Sequence, residues 1–193
     1  MTIMVPPDIQ AAVTAIGAGD TATQDAAYAT LMAATTDVAP WAYGVWDDLL
    51  ALLHHPNNRA RAIAGQTLSG LAKSDPDGRM ARDVGRLVAA TYDERFVTAR
   101  HILLSLEKVG VAGPAARTEL VRLLGERFRG CGAEKNATLI RYDILCVLRA
   151  IHDATADASV EAAAREIIAL RTDPTYEKKY ASAWKRAAAT KAT

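Results

Sequence analysis

Apolar residues recur at helical spacing along almost the whole chain. In the first segment, Ile9, Val13 and Ile16 occupy positions i, i+4 and i+7, so they lie on one face of a helix. No stretch alternates apolar and polar residues as a half-buried strand would. Prolines, glycines and polar clusters divide the chain into about ten such segments. The pattern therefore predicts an all-α protein of about ten helices, arranged as five antiparallel pairs.

The glycines between the first two predicted helices have the spacing of a dinucleotide-binding loop. Gly17, Gly19 and Ala22 match G-x-G-x-x-G/A, and an aspartate follows at the distance of a ribose-binding acid. Such a loop requires a strand before it, whereas the pattern predicts a helix there. We therefore interpret the glycines as a helix end and a turn. Asp20 or Thr21 is expected to cap the next helix, and Thr21 and Gln24 have the spacing of a capping box.

Three segments in the middle of the chain repeat one another. They are NRARAIAGQTLSGLA (58–72), FVTARHILLSLEKVG (96–110) and ATLIRYDILCVLRAI (137–151), whose leucines align at spacings of 38 and 42 residues. Such spacings are typical of two-helix repeats. The alignment gives three columns of expected core positions: Ala64, Ile102 and Ile144; Leu68, Leu106 and Leu148; and Leu71, Val109 and Ile151.

The stretch LLALLHHPNNRARAIAGQTLSGLA (49–72) resembles the HEAT-repeat pattern of leucines, a proline turn, an arginine, and then Ala and Leu at helical intervals. The segments DERFVTARH (93–101) and LIRYDIL (139–145) also resemble a small bacterial HEAT family, to which we attach no activity. The resemblance is good over residues 41–152.

The HEAT resemblance implies one α-solenoid domain over residues 1–193. Its fold would be a right-handed α-α superhelix of about five antiparallel helix pairs. Residues 8–36 and 159–186 are interpreted as atypical end pairs. The second helices of the pairs are expected to line a concave surface.

In the HEAT family, an aspartate in the turn and an arginine six residues later link neighbouring repeats. The arginine position is filled here by Arg61 and Arg141, and the aspartate position by Asp93 alone. His55 and Lys135 stand in place of the other aspartates. The resemblance therefore implies one inter-repeat pair, Asp93 with Arg61 or Arg141, and a structural role for these residues.

The same alignment places His101 beside Asp143. A histidine held by a carboxylate is half of a general-base arrangement, but no nucleophile, metal or electrophile is found at a recognisable spacing. We therefore interpret the pair as structural. His54 and His55 are consecutive and point about 100° apart on a helix, so they cannot clasp one metal ion. No catalytic, metal or cofactor motif is present, and we expect a non-catalytic protein without metal or cofactor.

Charge is unevenly distributed, although the formal net charge is only +1. Residues 1–58 hold six aspartates and no Lys or Arg, whereas residues 59–193 hold all 23 basic residues against 16 acidic ones. Six cations fall at or near the starts of second helices, and we name them the basic strip: Arg59, Arg61, Arg95, Arg100, Lys135 and Arg141. Such a strip could follow the phosphates of a nucleic acid.

HEAT-like alkylpurine DNA glycosylases line a basic concave face with aromatic residues and a catalytic Asp. The glycosylase Trp and Asp motif matches no stretch of this chain, and the near-neutral total charge disfavours a polyanion partner. Nucleic-acid binding is therefore the alternative hypothesis.

Aromatic residues concentrate near two places, at Trp41 and Trp46 and at the C-terminal stripe. Tyr176, Tyr180 and Trp184 are spaced i, i+4 and i+8 on one helical face. They could stack bases, but such stripes more often close the end of a solenoid core. We predict the core role.

Two cysteines have different surroundings. Cys146 lies in an apolar helical pattern and is expected in the core. Cys131 lies in a glycine-flanked loop near cations that could lower its pKa, but no activating neighbour is evident. The chain shows neither a signal peptide nor an apolar run of membrane length, which predicts a cytoplasmic protein with no membrane partner.

The first functional hypothesis is an interaction module that binds a protein or peptide partner on its concave face. Its candidate contact residues are the basic strip together with His101 and Asp143.

Overall fold

The computed structural model describes residues 4–170 and 174–185 and contains no strand within them. Its α-helices there are α1 (Pro7–Ala18), α2 (Thr21–Ala34), α3 (Ala42–Leu52), α4 (Asn58–Leu71), α5 (Arg79–Ala90), α6 (Phe96–Ser105), α7 (Glu107–Ala112), α8 (Pro114–Gly130), α9 (Ala137–Thr155), α10 (Ala158–Ala169) and α11 (Glu177–Lys185). Short 3-10 turns, Ala72–Ser74 and Cys131–Ala133, follow α4 and α8. Only Leu106 separates α6 from α7, so these two form one interrupted helix. The all-α prediction is confirmed.

The turn between α1 and α2 is made by a glycine and an aspartate. Gly19 ends α1 in an extended conformation, and Asp20 begins α2 by accepting a hydrogen bond from the Thr23 backbone N–H at 2.8 Å. Of the two caps left open by the sequence, Asp20 is therefore the one found. The capping box from Thr21 is wrong, because the buried Gln24 side chain donates instead to the carbonyl of Ile16 at 2.7 Å. A helix therefore precedes the glycines, as predicted, and the dinucleotide loop is excluded.

Contacts between helices arrange them in two rows. In the second-helix row, α2 contacts α4, α4 contacts α6, and α9 contacts both α6 and α11. In the first-helix row, α1 contacts α3, α5 contacts α8, and α8 contacts α10. The side chains of Trp46 and Asp83 join α3 to α5 through a 2.9 Å hydrogen bond. The apolar core lies between the two rows.

The repeated positions form the centre of this core. All nine residues of the three aligned columns are 0% exposed. They lie along α4, α6–α7 and α9, which are successive members of the second-helix row. Burying a Leu, Ile or Val side chain of this kind stabilises a fold by about 1.5–3 kcal/mol. The expectation that the aligned positions are core residues is confirmed.

The C-terminal aromatic stripe packs on α9. Tyr180 and Trp184 are buried and Tyr176 is half-buried. The Tyr180 hydroxyl donates to the carbonyl of Thr138 at 3.3 Å, and its ring meets that of Phe128 edge to face. The predicted core role of the stripe is confirmed. Residue 186, at the end of the expected C-terminal pair, and residues 171–173 within it lie outside the described residues.

Candidate functional site

Arg61 and Asp93 join two neighbouring turns of the second-helix row. Arg61 Nε donates to Asp93 Oδ2 at 2.5 Å, and its Nη2 donates to Oδ1 at 2.9 Å. The remaining guanidinium nitrogen of Arg61, Nη1, donates to the backbone carbonyls of His55 and Pro56. Asp93 also accepts from the backbone N–H of Arg95 at 2.8 Å. Arg61 thus links the turn before α4 to the turn before α6.

The electrostatics of this pair follow from its burial. The Asp93 side chain is only 5% exposed and that of Arg61 13%. Burial alone would raise the pKa of Asp93, but the hydrogen bonds from Arg61 and from the Arg95 backbone outweigh it and lower the pKa. The side-chain hydrogen bonds to Asp93 raise the pKa of Arg61. Both groups are therefore held in their charged forms.

Arg141, the other expected partner of Asp93, lies elsewhere. It is buried, and its Nε donates to the carbonyl of Phe128 at 3.1 Å. Its guanidinium lies 5.5 Å from the centre of the Phe128 ring. Of the two pairings left open by the sequence, the structure contains Arg61 with Asp93.

Asp143 pairs with Arg100 and not with His101. Arg100 Nε donates to Asp143 Oδ2 at 2.7 Å and its Nη2 to Oδ1 at 3.2 Å. The carboxylate side chain is 3% exposed, whereas His101 lies on the exposed side of α6. The sequence interpretation of a His101–Asp143 pair is therefore wrong. A long arginine one position earlier reaches the neighbouring helix, and the imidazole turns towards solvent.

Most residues of the basic strip form ion pairs or hydrogen bonds with other residues of this chain. Beyond Arg61, Arg100 and Arg141, Arg59 forms an ion pair with Asp25 of α2. Arg95 lies 3.7 Å from a carboxylate oxygen of its neighbour Glu94, and both side chains are exposed. Lys135 is exposed in the loop before α9. The six residues do not form one line of available cations.

Sequence reasoning missed a fully buried arginine. The Arg127 side chain is 0% exposed, and its two Nη atoms donate to the carboxylate of Glu134. Its Nε donates to Thr91 Oγ1 at 3.1 Å, and its guanidinium lies 3.8 Å from the centre of the Tyr92 ring. Arg127 therefore joins α8 to the turns on either side of it. The available signal was its position seven residues after the core residue Leu120, on the apolar face of α8.

Sequence reasoning also missed a second arginine link, between the start of α8 and the turn before α10. Arg117, near the start of α8, donates from Nε to Asp157 Oδ2 at 2.8 Å and from Nη1 to the carbonyl of Gly110 at 3.0 Å. Asp157 also begins α10 by accepting from the backbone N–H of Ser159. The arrangement resembles that of Arg61, because an arginine again joins a backbone carbonyl on one side to an aspartate in the next turn.

The two cysteines differ in burial. Cys131 is 0% exposed, and its Sγ lies 3.3 Å from the carbonyl of Phe128. Burial raises the pKa of this thiol, and the nearby cations Arg141 and Arg127 only partly oppose the increase. Cys146, expected in the core, is half-buried on α9.

Exposed apolar residues concentrate on α6–α7. Within the described residues, the exposed large hydrophobic side chains are Met4, Val38, Tyr92, Val97, Leu104, Val111 and Leu170. Three of them, Val97, Leu104 and Val111, lie seven residues apart along α6–α7, and we name them the apolar stripe. They occupy the side of the helix opposite its buried residues, and His101 and Lys108 are exposed between them.

A cleft of about 340 Å³ lies beside the turn that contains Asp93. Its lining includes Tyr92, Phe96 and Lys135, together with the carboxylates of Asp93 and Glu134. Both carboxylates already accept hydrogen bonds from arginines, Asp93 from the half-buried Arg61 and Glu134 from the buried Arg127. The cleft therefore brings Lys135 of the basic strip next to an acidic edge.

Within residues 4–170 and 174–185, no cluster of three His, Cys, Asp or Glu side chains could hold a metal ion. Across the same residues, no helix has both the length and the apolar character needed to cross a membrane. Comparison of the chain with family models, curated proteins and solved structures yields no match. The HEAT resemblance thus stays a prediction from the sequence.

Proposed function

We propose that this chain is a HEAT-like α-solenoid that serves as a non-catalytic interaction module for a protein or peptide partner. The two rows of helices and the aligned buried positions support the solenoid arrangement, since in such folds each helix pair buries its apolar face against the next. In this arrangement the second-helix row lines the concave side of a right-handed superhelix of five pairs.

The apolar stripe is the observation that carries the proposal. Exposed hydrophobic residues scattered singly are ordinary on a protein surface, whereas several on one face of a single helix favour a contact with another molecule. Val97 is 64% exposed, Leu104 36% and Val111 45%, and all three lie on one face of one helix. This helix is the middle member of the second-helix row. A partner that covers the stripe would remove this apolar area from water.

The ion pairs between arginines and aspartates support a structural role for these residues, in which they hold helices together. Arg61–Asp93, Arg100–Asp143 and Arg117–Asp157 each connect helices or turns that are distant in sequence. Breaking one partner of a buried pair leaves an uncompensated charge. We therefore assign these residues to holding the helix pairs in place, and the partner contact to the stripe.

Val97→Glu tests the proposal, with Val38→Glu as its matched control. The two valines are 64% and 68% exposed, but Val38 lies in the link between α2 and α3. Wild type and both variants are immobilised and incubated with native lysate, and the retained proteins are compared. We expect proteins that wild type and Val38→Glu retain and that Val97→Glu loses. If the three retain the same proteins, or none, the proposal is wrong.

A further inference from the structure

The cleft beside the turn before α6 has a counterpart that is filled by a side chain. In the aligned segments, Arg61 corresponds to Ala99, and Asp93 corresponds to Lys135. Arg61 spans the gap between the turns before α4 and α6, where its guanidinium reaches Asp93. Between the turns before α6 and α9, the corresponding position is Ala99, and the gap remains open as the cleft of about 340 Å³. The cleft is thus the space that a missing arginine side chain leaves.

A shared hydrogen bond supports this alignment of the turns. His55 Nδ1 accepts from the backbone N–H of Asn57 at 3.1 Å, and Asp93 Oδ1 accepts from that of Arg95 at 2.8 Å. In both turns the donor lies two residues further along, so His55 and Asp93 occupy the same place. Lys135 occupies this place before α9 in the alignment, and its ammonium can only donate. The third turn therefore carries a cation where the second carries an anion.

The carboxylates that line the cleft are balanced by arginines. Each lies near a guanidinium, in the pairs Asp93 with Arg61, Glu134 with Arg127, and Glu94 with Arg95. Lys135 is the charged lining residue for which the described part of the chain provides no ion pair. Beside it, the Asn136 side chain makes no capping hydrogen bond to α9, so its amide can donate to a ligand. The charges of the cleft therefore leave one positive charge in excess, next to an amide donor.

Apolar side chains form much of the remaining lining. Phe96, Ala99 and Ile140 contribute to it, together with Tyr92, which is 54% exposed. Small-molecule sites combine such apolar walls with a few polar groups and have volumes of about 300–1,000 Å³. The cleft is at the small end of this range. Its size therefore suits one aromatic or branched aliphatic group with a single charged end.

We propose that this cleft binds a monocarboxylate with an apolar body. Lys135 and the Asn136 amide hold the carboxylate, and the apolar body covers the ring of Phe96. One excess positive charge matches a carboxylate better than a phosphate monoester, which carries about −1.5 to −2 at pH 7. The inference goes beyond the proposed function and does not depend on the apolar stripe, because Ala99 lies about 200° around α6 from Val97.

Three small molecules with the same phenyl group test the chemistry of the ligand. Hydrocinnamate carries a carboxylate, hydrocinnamamide is neutral, and phenylpropylamine is a cation. Binding of each to the full chain is measured by calorimetry. We expect hydrocinnamate to bind at least about tenfold more tightly than the amide, and the amine not to bind.

The same carboxylate chemistry could come from a free acid or from the C-terminus of a peptide. An N-acetylated tripeptide that ends in phenylalanine, with its C-terminus either free or amidated, distinguishes the two sources. If the free form binds and the amidated form does not, peptide C-termini are among the ligands. If neither form binds while hydrocinnamate does, the ligand is a free acid. Both results support recognition of a carboxylate by the cleft.

Variants of the chain connect the binding to the cleft. Lys135→Met should weaken hydrocinnamate binding about tenfold or more, because it removes the ammonium and keeps an unbranched side chain. Lys108→Met is the matched control, since Lys108 is exposed on α7 and is not among the lining residues; it should leave the binding unchanged. Ala99→Arg should abolish binding, because it places in the cleft the kind of side chain that fills the neighbouring gap. Circular dichroism confirms that each variant remains helical.

Three results would overturn the inference. Equal binding of the acid and the amide would show that the ammonium is not used. Binding that Lys135→Met leaves unchanged would place the site elsewhere. Failure of hydrocinnamate to bind at millimolar concentration would show that the cleft does not take this class of ligand, whatever partners Val97→Glu loses. If Ala99→Arg does not fold, the comparison of Lys135→Met with Lys108→Met decides.

Discussion

Gly110 of α7 lies directly against Ile151 of α9, so that a β-carbon added to the glycine would lie 2.6 Å from Ile151 Cγ1. Gly65 of α4 has the same relationship with Ile102 of α6, where the distance would be 2.7 Å. Both isoleucines are 0% exposed. In each contact the isoleucine fills the space that a side chain would occupy. The spacing between successive helices of the second-helix row therefore depends on glycine.

Gly110→Ala should destabilise the protein, because the methyl group would force a buried isoleucine out of its position. Overpacking of this kind costs about 1–3 kcal/mol. The free energy of unfolding is measured by urea denaturation. Gly85→Ala is the control, since a β-carbon at this exposed position of α5 meets nothing within 4 Å. It should stabilise the protein by about 0.5–1 kcal/mol through helix propensity. If both substitutions stabilise, the two helices do not approach as closely as described.

Helical periodicity predicts the helices and the core columns of this chain. The apolar spacing and the breakers mark the helices, and the aligned Leu68, Leu106 and Leu148 are all fully buried. Burial follows from periodicity because only one face of each helix can meet its neighbours. The close approach at Gly110 was not predictable in this way. A glycine near the end of a helix reads as a stop signal, and its contact lies 41 residues further along the chain, at Ile151.

Side-chain pairing was predicted less well than burial. The alignment places both Arg100 and His101 near Asp143. It does not determine which of these two consecutive side chains points towards α9. The structure selects Arg100. Arg127 was missed for a related reason, since a charged residue on an apolar face conflicts with the pattern unless its partner is known. That partner, Glu134, lies in a turn whose path periodicity does not determine.

Asp93→Asn should lower the free energy of unfolding by about 3 kcal/mol, since it leaves the half-buried Arg61 without its anionic partner. Arg61→Leu should also destabilise, and the double variant should lose less than the sum of the two single losses. Glu119→Gln is the control, because Glu119 pairs with Arg122 on the exposed side of α8 and its loss should change the melting temperature little. Strictly additive losses would show that Arg61 and Asp93 do not interact.

The same pair predicts a pH dependence. Because the pKa of Asp93 is lowered in the folded state, its contribution to stability is complete above the unfolded pKa of about 3.9 and is lost as the pH falls through the folded pKa. The stability difference between wild type and Asp93→Asn should therefore be constant from neutral pH to about pH 5 and shrink below about pH 4. Denaturation curves at each pH measure this difference. A difference that stays constant into strong acid contradicts the lowered pKa.

Salt dependence distinguishes the proposed function from nucleic-acid binding. Each phosphate contact by a cation changes log K by about −0.9 per tenfold rise in salt. Arg59, Arg61 and Arg100 have carboxylate partners, and Arg141 is buried on a backbone carbonyl. A cation already paired within the protein contributes less to counterion release from DNA. The basic strip should therefore act as about one or two phosphate contacts. The slope of log K against log salt concentration should then be no steeper than about −2.

Arg95 and Lys135 are the two residues of the basic strip that remain most available, so their joint replacement by alanine should remove what DNA binding exists. Neither is a core residue, since both are exposed. Arg82→Ala with Arg86→Ala, on the exposed side of α5, is the matched control for loss of two positive charges. Fluorescence anisotropy with duplex DNA should show weak binding at low salt and none near 0.15 M, where screening extends over about 8 Å. A micromolar complex at that salt, lost only in the Arg95 and Lys135 variant, would make the basic strip the binding surface and reverse the choice between the two functions.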